Sequence, residues 1–490
     1  MNIKNINLLK ITEEINVSET IIEDMCLQYL KDRILDEDYL YDRFIEVIQH
    51  PSTDIDILRE RQAIFKDFVT YGNLARDILK YCEEAEEVRR RARNAGHIGN
   101  SLNDRLKNYV NETVPLLELI EQFGRMFNKK FESKTLPELK FGSMKNLIDE
   151  ICRLQNIVKT NCFTMSMNFT DGLRLKEAVV YNTDKVNIKP NYKKDKLTKE
   201  YVLIDTDIAD YTRNFLFGVN VEEIQSKAIL HLCSVISQIS NMIMLFFKSL
   251  KQDIYFYLAA LRVKKHMDDT NLQYCIPEIY EDSRGIAAED LYNYPLAVFT
   301  GNVPIKNAID FKDGKFLIIT GLNQGGKTTF LRSIGVAQLF TQAGIMVPAA
   351  KYSASVYNGI ISHFPKEEDN TLNFGKLAEE LDRLRKELPL VVSGGLVMLN
   401  ESFATTTEKE GGEIAADVLK ALSKTDSSVV FVTHLYELAV NLDILNSVLY
   451  NNIKAVSYIT KVNSELKADR SYKIVKGDPL KDMQLNDLEI

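Results

Sequence analysis

The spacing of apolar residues divides the chain into two parts. From about residue 12 to 275, apolar side chains recur at helical spacing with few Pro or Gly residues, and this pattern predicts a long, mainly helical region. The helices expected there cover residues 19–34, 37–49, 54–68, 73–94, 101–128, 144–158, 220–250 and 252–267. Runs with strand composition at 163–167, 178–181 and 201–204 predict a small β element among them.

Short apolar strands alternate with helices in the rest of the chain. Strands are expected at 315–320, 394–400 and 428–433, and helices near 327–341, 373–388, 410–424 and 435–441. This alternation is typical of a parallel sheet with helices on its faces. Pro and Gly residues punctuate the segment 270–290. We therefore predict a mainly helical part at 1–280 and an α/β domain at 281–490.

One apolar segment is long enough to cross a bilayer. Residues 228–247 contain no Asp, Glu, Lys or Arg, and about 20 apolar residues suffice for a membrane span. However, Ser234, Gln238 and Asn241 fall between its apolar residues at helical spacing. The segment is therefore predicted to be a largely buried helix, and no membrane association is expected.

Composition narrows the class of protein. The six cysteines are scattered and the histidines are not clustered, so neither a disulfide framework nor a zinc site is indicated. The first residues lack the pattern of a secretion signal, and a cytoplasmic protein is expected. With 69 acidic and 61 basic residues, the net charge is −8. This is not the charge balance of a protein that coats nucleic acid, so any such contact needs a local basic surface.

Two basic stretches could form such a surface. The first runs from Arg89 to Arg93, but glutamates lie about one turn upstream, and these predict a helix face whose charges compensate one another. The second runs from Lys185 to Lys199 and has fewer acidic neighbours. A flexible loop is the commoner structure for such a stretch, and nucleic-acid contact there is the alternative.

A glycine-rich turn follows the strand at 315–320. Residues 321–328 fit the phosphate-binding pattern G-x-x-x-x-G-K-[ST] at every position. Backbone N–H groups of such a loop surround a phosphate, Lys327 brings a positive charge to it, and the Thr328 hydroxyl can join a Mg²⁺ shell. The turn therefore predicts a site for ATP and Mg²⁺, formed by Gly321, Leu322, Asn323, Gln324, Gly325, Gly326, Lys327, Thr328 and Thr329.

ATP hydrolysis needs further groups, and two later strands end in candidates. The strand at 394–400 ends in Asn400 and is followed by Glu401, which we expect to activate the attacking water. Asn400 stands where P-loop ATPases usually carry Asp, and a neutral amide is a weaker partner for Mg²⁺. His434 follows the strand at 428–433 and is the candidate γ-phosphate sensor. Alternatively, Asn400 and Glu401 are an ordinary surface strand end without a catalytic role, and His434 is a structural histidine.

A further anion site is predicted between these strands. Residues 370–377 open a helix with small polar side chains, and a helix N-terminus attracts anions. In ABC-type ATPases, which this layout resembles, such an element contacts the nucleotide of a second subunit. The resemblance assigns this role to Asn373, near the position of the signature serine, and implies a dimer.

The motifs together resemble those of the MutS family. The matching segments are 319–332 around the phosphate loop, Gln342–Ala349, Asn400-Glu401 and Thr433–Leu438. Phosphate chemistry does not demand the Gly-x-x-Val-Pro-Ala text at 344–349, so this segment makes the resemblance specific. Residues 306–311 are also similar to a family segment whose Asn lies near the adenine, and this gives Asn307 that role.

The resemblance implies a multidomain protein, in which an elongated, mainly helical core and lever region with a small β element precedes an ABC-type P-loop ATPase domain. It also implies ATP hydrolysis by a homodimer or a heterodimer with a related subunit. The departures from the family pattern at Asn400, Ser402-Phe403-Ala404 and Asn373 indicate that hydrolysis is slow.

Two main interpretations of the function stay open, beside a third alternative. In the preferred one, the dimer is a nucleotide-gated clamp on DNA, in mismatch repair or on another DNA structure. In the other, a short MutS-like ATPase remodels or reactivates a partner enzyme such as an aminomutase, without binding DNA. The acidic charge balance and the expected lack of an N-terminal mismatch-reading domain favour the second. A nucleotide-binding scaffold with negligible hydrolysis is a third alternative.

Overall fold

The computed structural model describes residues 6–11, 15–95, 101–160, 164–169, 175–182, 221–281, 285–311, 316–321, 324–365, 376–403, 406–462 and 470–477. The chain forms two compact units. The helical unit contains Met1–Ile6, Asp77–Lys130 and Leu136–Lys251, and the mixed unit contains Asn7–Arg76, Phe131–Thr135 and Gln252–Ile490. Residues 7–76 thus fold with the C-terminal half. The boundary predicted at residue 280 stays a prediction.

The described elements follow one another in this order. The α-helices are α1 (Ile21–Asp24), α2 (Asp38–Gln49), α3 (Ile55–Thr70), α4 (Leu74–Ala95), α5 (Leu102–Arg125), α6 (Lys145–Thr160), α7 (Val221–Asp269), α8 (Tyr294–Thr300), α9 (Lys327–Ala343), α10 (Lys376–Glu387), α11 (Glu408–Ser423), α12 (Tyr436–Val440) and α13 (Leu442–Val448). The strands are β1 (Asn16–Val17), β2 (Thr164–Phe169), β3 (Leu175–Asn182), β4 (Glu278–Tyr280), β5 (Ile286–Leu291), β6 (Asn307–Asp310), β7 (Phe316–Thr320), β8 (Lys351–Ser355), β9 (Gly359–His363), β10 (Leu396–Asn400), β11 (Ser428–Val432), β12 (Ala455–Val462) and β13 (Arg470–Lys476).

An aromatic cluster centred on Phe123 forms part of the core of the helical unit. Phe123 is fully buried in α5, and its ring centroid lies 5.0–6.3 Å from those of Tyr81, Phe127, Phe141, Phe246 and Phe247. Such tilted and edge-on pairs are favoured by the ring quadrupole and bury large apolar areas. Helices α4, α5 and α7 are therefore joined by ring packing.

The predicted β element of this unit is confirmed for two of its strands. Strands β2 and β3 pair antiparallel over Thr164–Asn182. The third predicted strand, at 201–204, lies outside the described residues, as does the lysine-rich stretch Lys185–Lys199.

Two helix predictions were wrong in detail. The helices expected at 220–250 and 252–267 form the single helix α7, because the junction at Lys251 carries no Gly or Pro that would break it. The helix expected at 19–34 is instead α1 followed by a 3-10 turn at Leu27–Leu30. Cys26 separates these two pieces, since its φ of 58° is left-handed and incompatible with a continuing helix.

Helix α7 is less buried than its polar spacing suggests. Among the described residues, one helical segment, Ser226–Asp269, is long and apolar enough to cross a membrane, and 39% of its most apolar window is buried. Leu230, Val235, Met242 and Leu245 are each between 39% and 64% exposed. A largely buried helix was therefore too strong an expectation. Core helices pass the same length and composition test, so the lack of membrane association stays a prediction.

A seven-stranded sheet forms the centre of the mixed unit, in the order β1-β9-β10-β11-β7-β12-β13. All its pairings are parallel except that of β12 with β13. The strands predicted near β7, β10 and β11 are confirmed, and all five residues of each are buried. A second, four-stranded sheet has the order β4-β8-β5-β6. Its strands, together with β1, β9, β12 and β13, were not predicted.

Helix α9 explains why residues 7–76 belong to the mixed unit. Fourteen of its seventeen residues are buried, so both of its faces must be covered. Helices α2 and α3 contact α9. At its end, the Gln342 carbonyl accepts a hydrogen bond from the Ser52 amide at 2.9 Å, and the Gln342 side chain donates to the Ser52 carbonyl at 3.1 Å.

We predict that Gly344→Ala destabilises the mixed unit more than Gly301→Ala. Both glycines end helices with positive φ, 80° and 68°, which costs an alanine about 1–2 kcal/mol. A Cβ at Gly344 would lie 2.5 Å from Arg61 Cβ, whereas one at Gly301 meets nothing within 4 Å. Overpacking should add about 1–3 kcal/mol at Gly344. Thermal unfolding of the two variants measures the difference, and equal midpoints would contradict the packing described here.

Candidate functional site

Strand β7 passes directly into the glycine-rich turn. Gly321 has a φ of 131°, and a Cβ there would lie 2.1 Å from Thr460 Oγ1, so both the conformation and the space exclude a side chain. Gln324 and Gly326 also have positive φ, and Gly326 precedes the first residue of α9. The turn thus joins a buried strand to a helix N-terminus, as a phosphate-binding loop requires. The predicted loop residues Leu322 and Asn323 lie outside the described residues.

Lys327, the first residue of α9, is nearly buried. Its side chain is 3% exposed, and Nζ donates to the Gly321 carbonyl at 2.9 Å. Burial lowers the pKa of Lys327, while the nearby Glu401 carboxylate opposes this effect. An ammonium group removed from water gains strongly from an anion. Lys327 is therefore placed to bind a phosphate group at the loop.

The two residues predicted to hold Mg²⁺ contact each other. The Thr328 hydroxyl donates to Asn400 Oδ1 at 2.9 Å, although the two residues are 72 positions apart. Hydroxyl and amide oxygens are hard ligands that suit Mg²⁺, which usually completes its shell with waters and substrate phosphates. Among the described residues, no group of three or more His, Cys, Asp or Glu side chains could hold a metal. These two oxygens therefore fit Mg²⁺ that arrives with a nucleotide.

The two predicted catalytic residues also lie together. His434 Nε2 is 2.9 Å from Glu401 Oε1, and the Glu401 amide donates to the Val432 carbonyl at 2.7 Å. The hydrogen bond to His434 lowers the pKa of Glu401 despite partial burial, and the positive charge of Lys327 adds to this. Glu401 is therefore a carboxylate at neutral pH, able to accept a proton, and His434 is the donor of their hydrogen bond.

A cavity of about 380 Å³ opens in front of the loop. It is lined by the loop and helix residues Gln324–Phe330 and Ser333, by Glu401, and by Leu296, Thr300, Asn302, Val303, Pro304, Ile305, Asn307 and Tyr472. Its volume lies in the range of small-molecule sites. Its lining combines the residues of the glycine-rich turn with the apolar side chains of Leu296, Val303, Pro304 and Ile305, a mixture that suits a nucleotide. His434 is not among its lining residues and contacts Glu401 instead.

Asn307 lines this cavity, but both polar atoms of its side-chain amide are hydrogen-bonded to the backbone of strand β13. Its Oδ1 accepts from the Ile474 amide at 2.8 Å, and its Nδ2 donates to the Tyr472 carbonyl at 3.4 Å. Contact of Asn307 with the adenine stays a prediction. The sequence did not assign a role to Tyr472, which lines the cavity beside Gly326. A signal that could have indicated it is Ser471-Tyr472-Lys473-Ile474, which resembles the Ser-Tyr-Gly-Ile text of the MutS family.

The remaining predicted residue, Asn373, lies outside the described residues. Helix α10 begins three positions later, at Lys376. The structure thus brings together the described loop residues with Asn307, Asn400, Glu401 and His434.

Known protein families match both halves of the chain. The model of MutS domain V matches residues 317–478, which contain this whole cluster except Asn307, and the model of the MutS2 N-terminal domain matches residues 53–270. The chain belongs to the MutS family. Members of this family bind ATP, and domain V is its ATPase domain.

Similar curated proteins carry the name Endonuclease MutS2. The protein of Lactiplantibacillus plantarum is 32% identical over 127 residues, which cover 26% of this chain and 16% of the relative. The protein of Thermomicrobium roseum is 33% identical over 26% of this chain and 16% of the relative. The protein of Listeria innocua is 26% identical over 45% of this chain and 25% of the relative. The matched stretches thus span a quarter or less of these relatives.

We predict that Asn400→Asp lowers the Mg²⁺ concentration needed for nucleotide binding. A carboxylate beside the Thr328 hydroxyl attracts a hard cation more strongly than an amide oxygen does, by on the order of tenfold in affinity. Titration of Mg²⁺ with a fluorescent ATP analogue measures the midpoint. Asn128→Asp, at an exposed position in the helical unit, controls for the change in net charge. An unchanged Mg²⁺ midpoint would contradict the metal role of Asn400.

Proposed function

We propose that this MutS-family protein hydrolyses ATP with Mg²⁺ and acts as a dimeric, nucleotide-gated clamp on DNA. The observation that carries the hydrolytic part is that Glu401, hydrogen-bonded to His434, lines the same cavity as the residues of the phosphate loop. A carboxylate held there can accept the proton of a water that attacks the γ-phosphate. The products are ADP and phosphate.

Each neighbouring residue then has a separate task. Lys327 neutralises the phosphate oxygens, and the Thr328 hydroxyl and the Asn400 amide oxygen hold Mg²⁺ against them. The His434 hydrogen bond keeps Glu401 ionised and oriented. The γ-phosphate sensor role of His434 and the adenine contact of Asn307 belong to the same proposal. An amide at position 400 favours slow turnover.

The proposal extends to the arrangement of the protein. The part at 1–280 serves as core and lever, and the part at 281–490 is the ATPase domain. Asn373 contacts the nucleotide of a second subunit, either identical or related. A cytoplasmic location rests on the scattered cysteines of the sequence.

Charge favours one of the two basic stretches as the DNA contact. In the first, Arg89 lies 3.1 Å from Glu112, and both Arg90 and Arg91 pair with Glu87 at 2.5–2.7 Å. Glu112 and Glu87 thus offset two of these three positive charges. We therefore assign DNA contact to Lys185–Lys199. The nuclease activity in the relatives' name is not part of the proposal, because the cluster described above supports ATP binding. No comparison supports a partner enzyme.

We predict that Glu401→Gln binds ATP but hydrolyses it at least about 10²-fold more slowly, because the general base is lost. Lys327→Ala should lose ATP binding itself. Phosphate release measures turnover, and a fluorescent ATP analogue measures affinity. Glu437→Gln, an exposed glutamate of α12, is the matched control and should behave as wild type. Normal hydrolysis by Glu401→Gln would contradict the assigned base.

We predict DNA binding that weakens steeply with salt. The Glu401→Gln protein with ATP is titrated with homoduplex, mismatched and branched DNA at several salt concentrations. Replacing Lys193, Lys194 and Lys196 by alanine should reduce the log–log salt slope by about 0.9 for each phosphate that the protein no longer neutralises. Arg90→Ala with Arg91→Ala should change it little. If all three DNAs stay unbound at low salt, the clamp proposal fails and a protein partner becomes the better hypothesis.

A further inference from the structure

The proposed catalytic base, Glu401, is the first residue of a strained turn. Glu401 has a φ of 50° and Phe403 a φ of 68°, both in the left-handed region that residues with side chains avoid. We call residues 401–403 the catalytic turn. Such a conformation persists only where neighbouring groups hold it. The direction of the Glu401 carboxylate therefore depends on what fixes this turn.

Glu380 of helix α10 fixes the far end of the turn. Its Oε1 accepts a hydrogen bond from the Phe403 amide at 2.8 Å, and its side chain is 91% buried. The Phe403 carbonyl lies against α11, since a Cβ on Gly411 would come within 2.6 Å of that oxygen. The Phe403 side chain is fully buried as well. The turn is thus held by one carboxylate and by close packing.

A buried histidine keeps this carboxylate charged. His363, at the end of β9, is 2% exposed, and its Nε2 lies 3.8 Å from Glu380 Oε1, while its Nδ1 contacts Glu387 Oε2 at 2.6 Å. Burial would raise the pKa of Glu380, but His363 and the Phe403 amide outweigh it and lower the pKa. For His363 the effects have the opposite sign: burial would lower its pKa, but the carboxylates of Glu380 and Glu387 outweigh burial and raise it.

We propose that Glu380 is a positioning residue for ATP hydrolysis, which holds the catalytic turn so that Glu401 faces the nucleotide cavity. This role rests on the proposed function, because it acts only through Glu401. Glu380 itself does not line the cavity. Its loss should therefore slow the chemical step and leave nucleotide binding intact.

The test compares Glu380→Ala with Glu380→Gln and Glu379→Ala. Glu380→Ala removes the acceptor of the Phe403 amide, and we expect kcat to fall on the order of 10²-fold with KM and ATP affinity within about twofold of wild type. Glu380→Gln keeps an acceptor oxygen and should recover most of the rate. Glu379→Ala, at the half-buried neighbouring position, should match wild type. Hydrogen exchange of the segment 401–411 should quicken in Glu380→Ala.

The Glu401→Gln background separates this role from a general loss of structure. There Glu380→Ala should cause no further fall in the residual turnover, since the group it positions is gone. An equal fall in both backgrounds, or a raised KM with unchanged kcat, overturns the proposal. Should Glu380→Ala fail to fold, Glu380→Asp keeps the charge but withdraws the oxygen from the Phe403 amide, and the same fall in kcat is expected.

The two proposals fail in different ways. If Glu401→Gln hydrolyses ATP as fast as wild type, the proposed base fails and the positioning role is overturned with it. If Glu401→Gln is slow while Glu380→Ala keeps the wild-type kcat, only the positioning role is overturned.

Discussion

Parallel pairing of three buried strands decides where each functional side chain lies. β11 is hydrogen-bonded between β7 and β10, with Val432 opposite both Ile319 and Asn400. The carboxyl ends of the three strands therefore meet at one edge of the sheet. Asn400-Glu401 and His434, about 70 and 100 residues after the phosphate loop, are brought next to the loop at this edge. All fifteen residues of these strands are buried, so a shift in their pairing register would disrupt side-chain packing along a whole strand and destabilise the sheet.

Burial of helix α9 extends this constraint to the start of the chain. The helix that follows the phosphate loop is in contact with α2 and α3, and Gly344 at its end leaves room for the buried Arg61 side chain. Lys327 and Thr328, which we propose to contact the nucleotide, therefore begin a helix whose other end is hydrogen-bonded to Ser52. This gives a physical route from the nucleotide site to the N-terminal helices.

The sequence predicted the parts of the site that follow local rules. Short apolar runs flanked by Gly or polar residues indicated β7, β10 and β11, and the loop pattern with Asn400, Glu401 and His434 followed from the ends of these strands. Tyr472 and β13 depend on contacts with Asn307, 165 residues away, which no local pattern reveals. The Glu380–Phe403 bond is equally non-local. Cys26 carries no helix-breaking signal, so its left-handed conformation could not be anticipated from composition.

The central claim is that ATP lies between the phosphate loop and Glu401. A crystal structure of the protein with Mg²⁺, ADP and vanadate would test it most directly. We expect the vanadium next to Lys327 Nζ, the Mg²⁺ on the Thr328 hydroxyl, and a Glu401 oxygen within about 3.2 Å of the vanadate oxygen that represents the attacking water. A nucleotide bound elsewhere, or a Glu401 carboxylate turned away from the vanadate, would contradict the account.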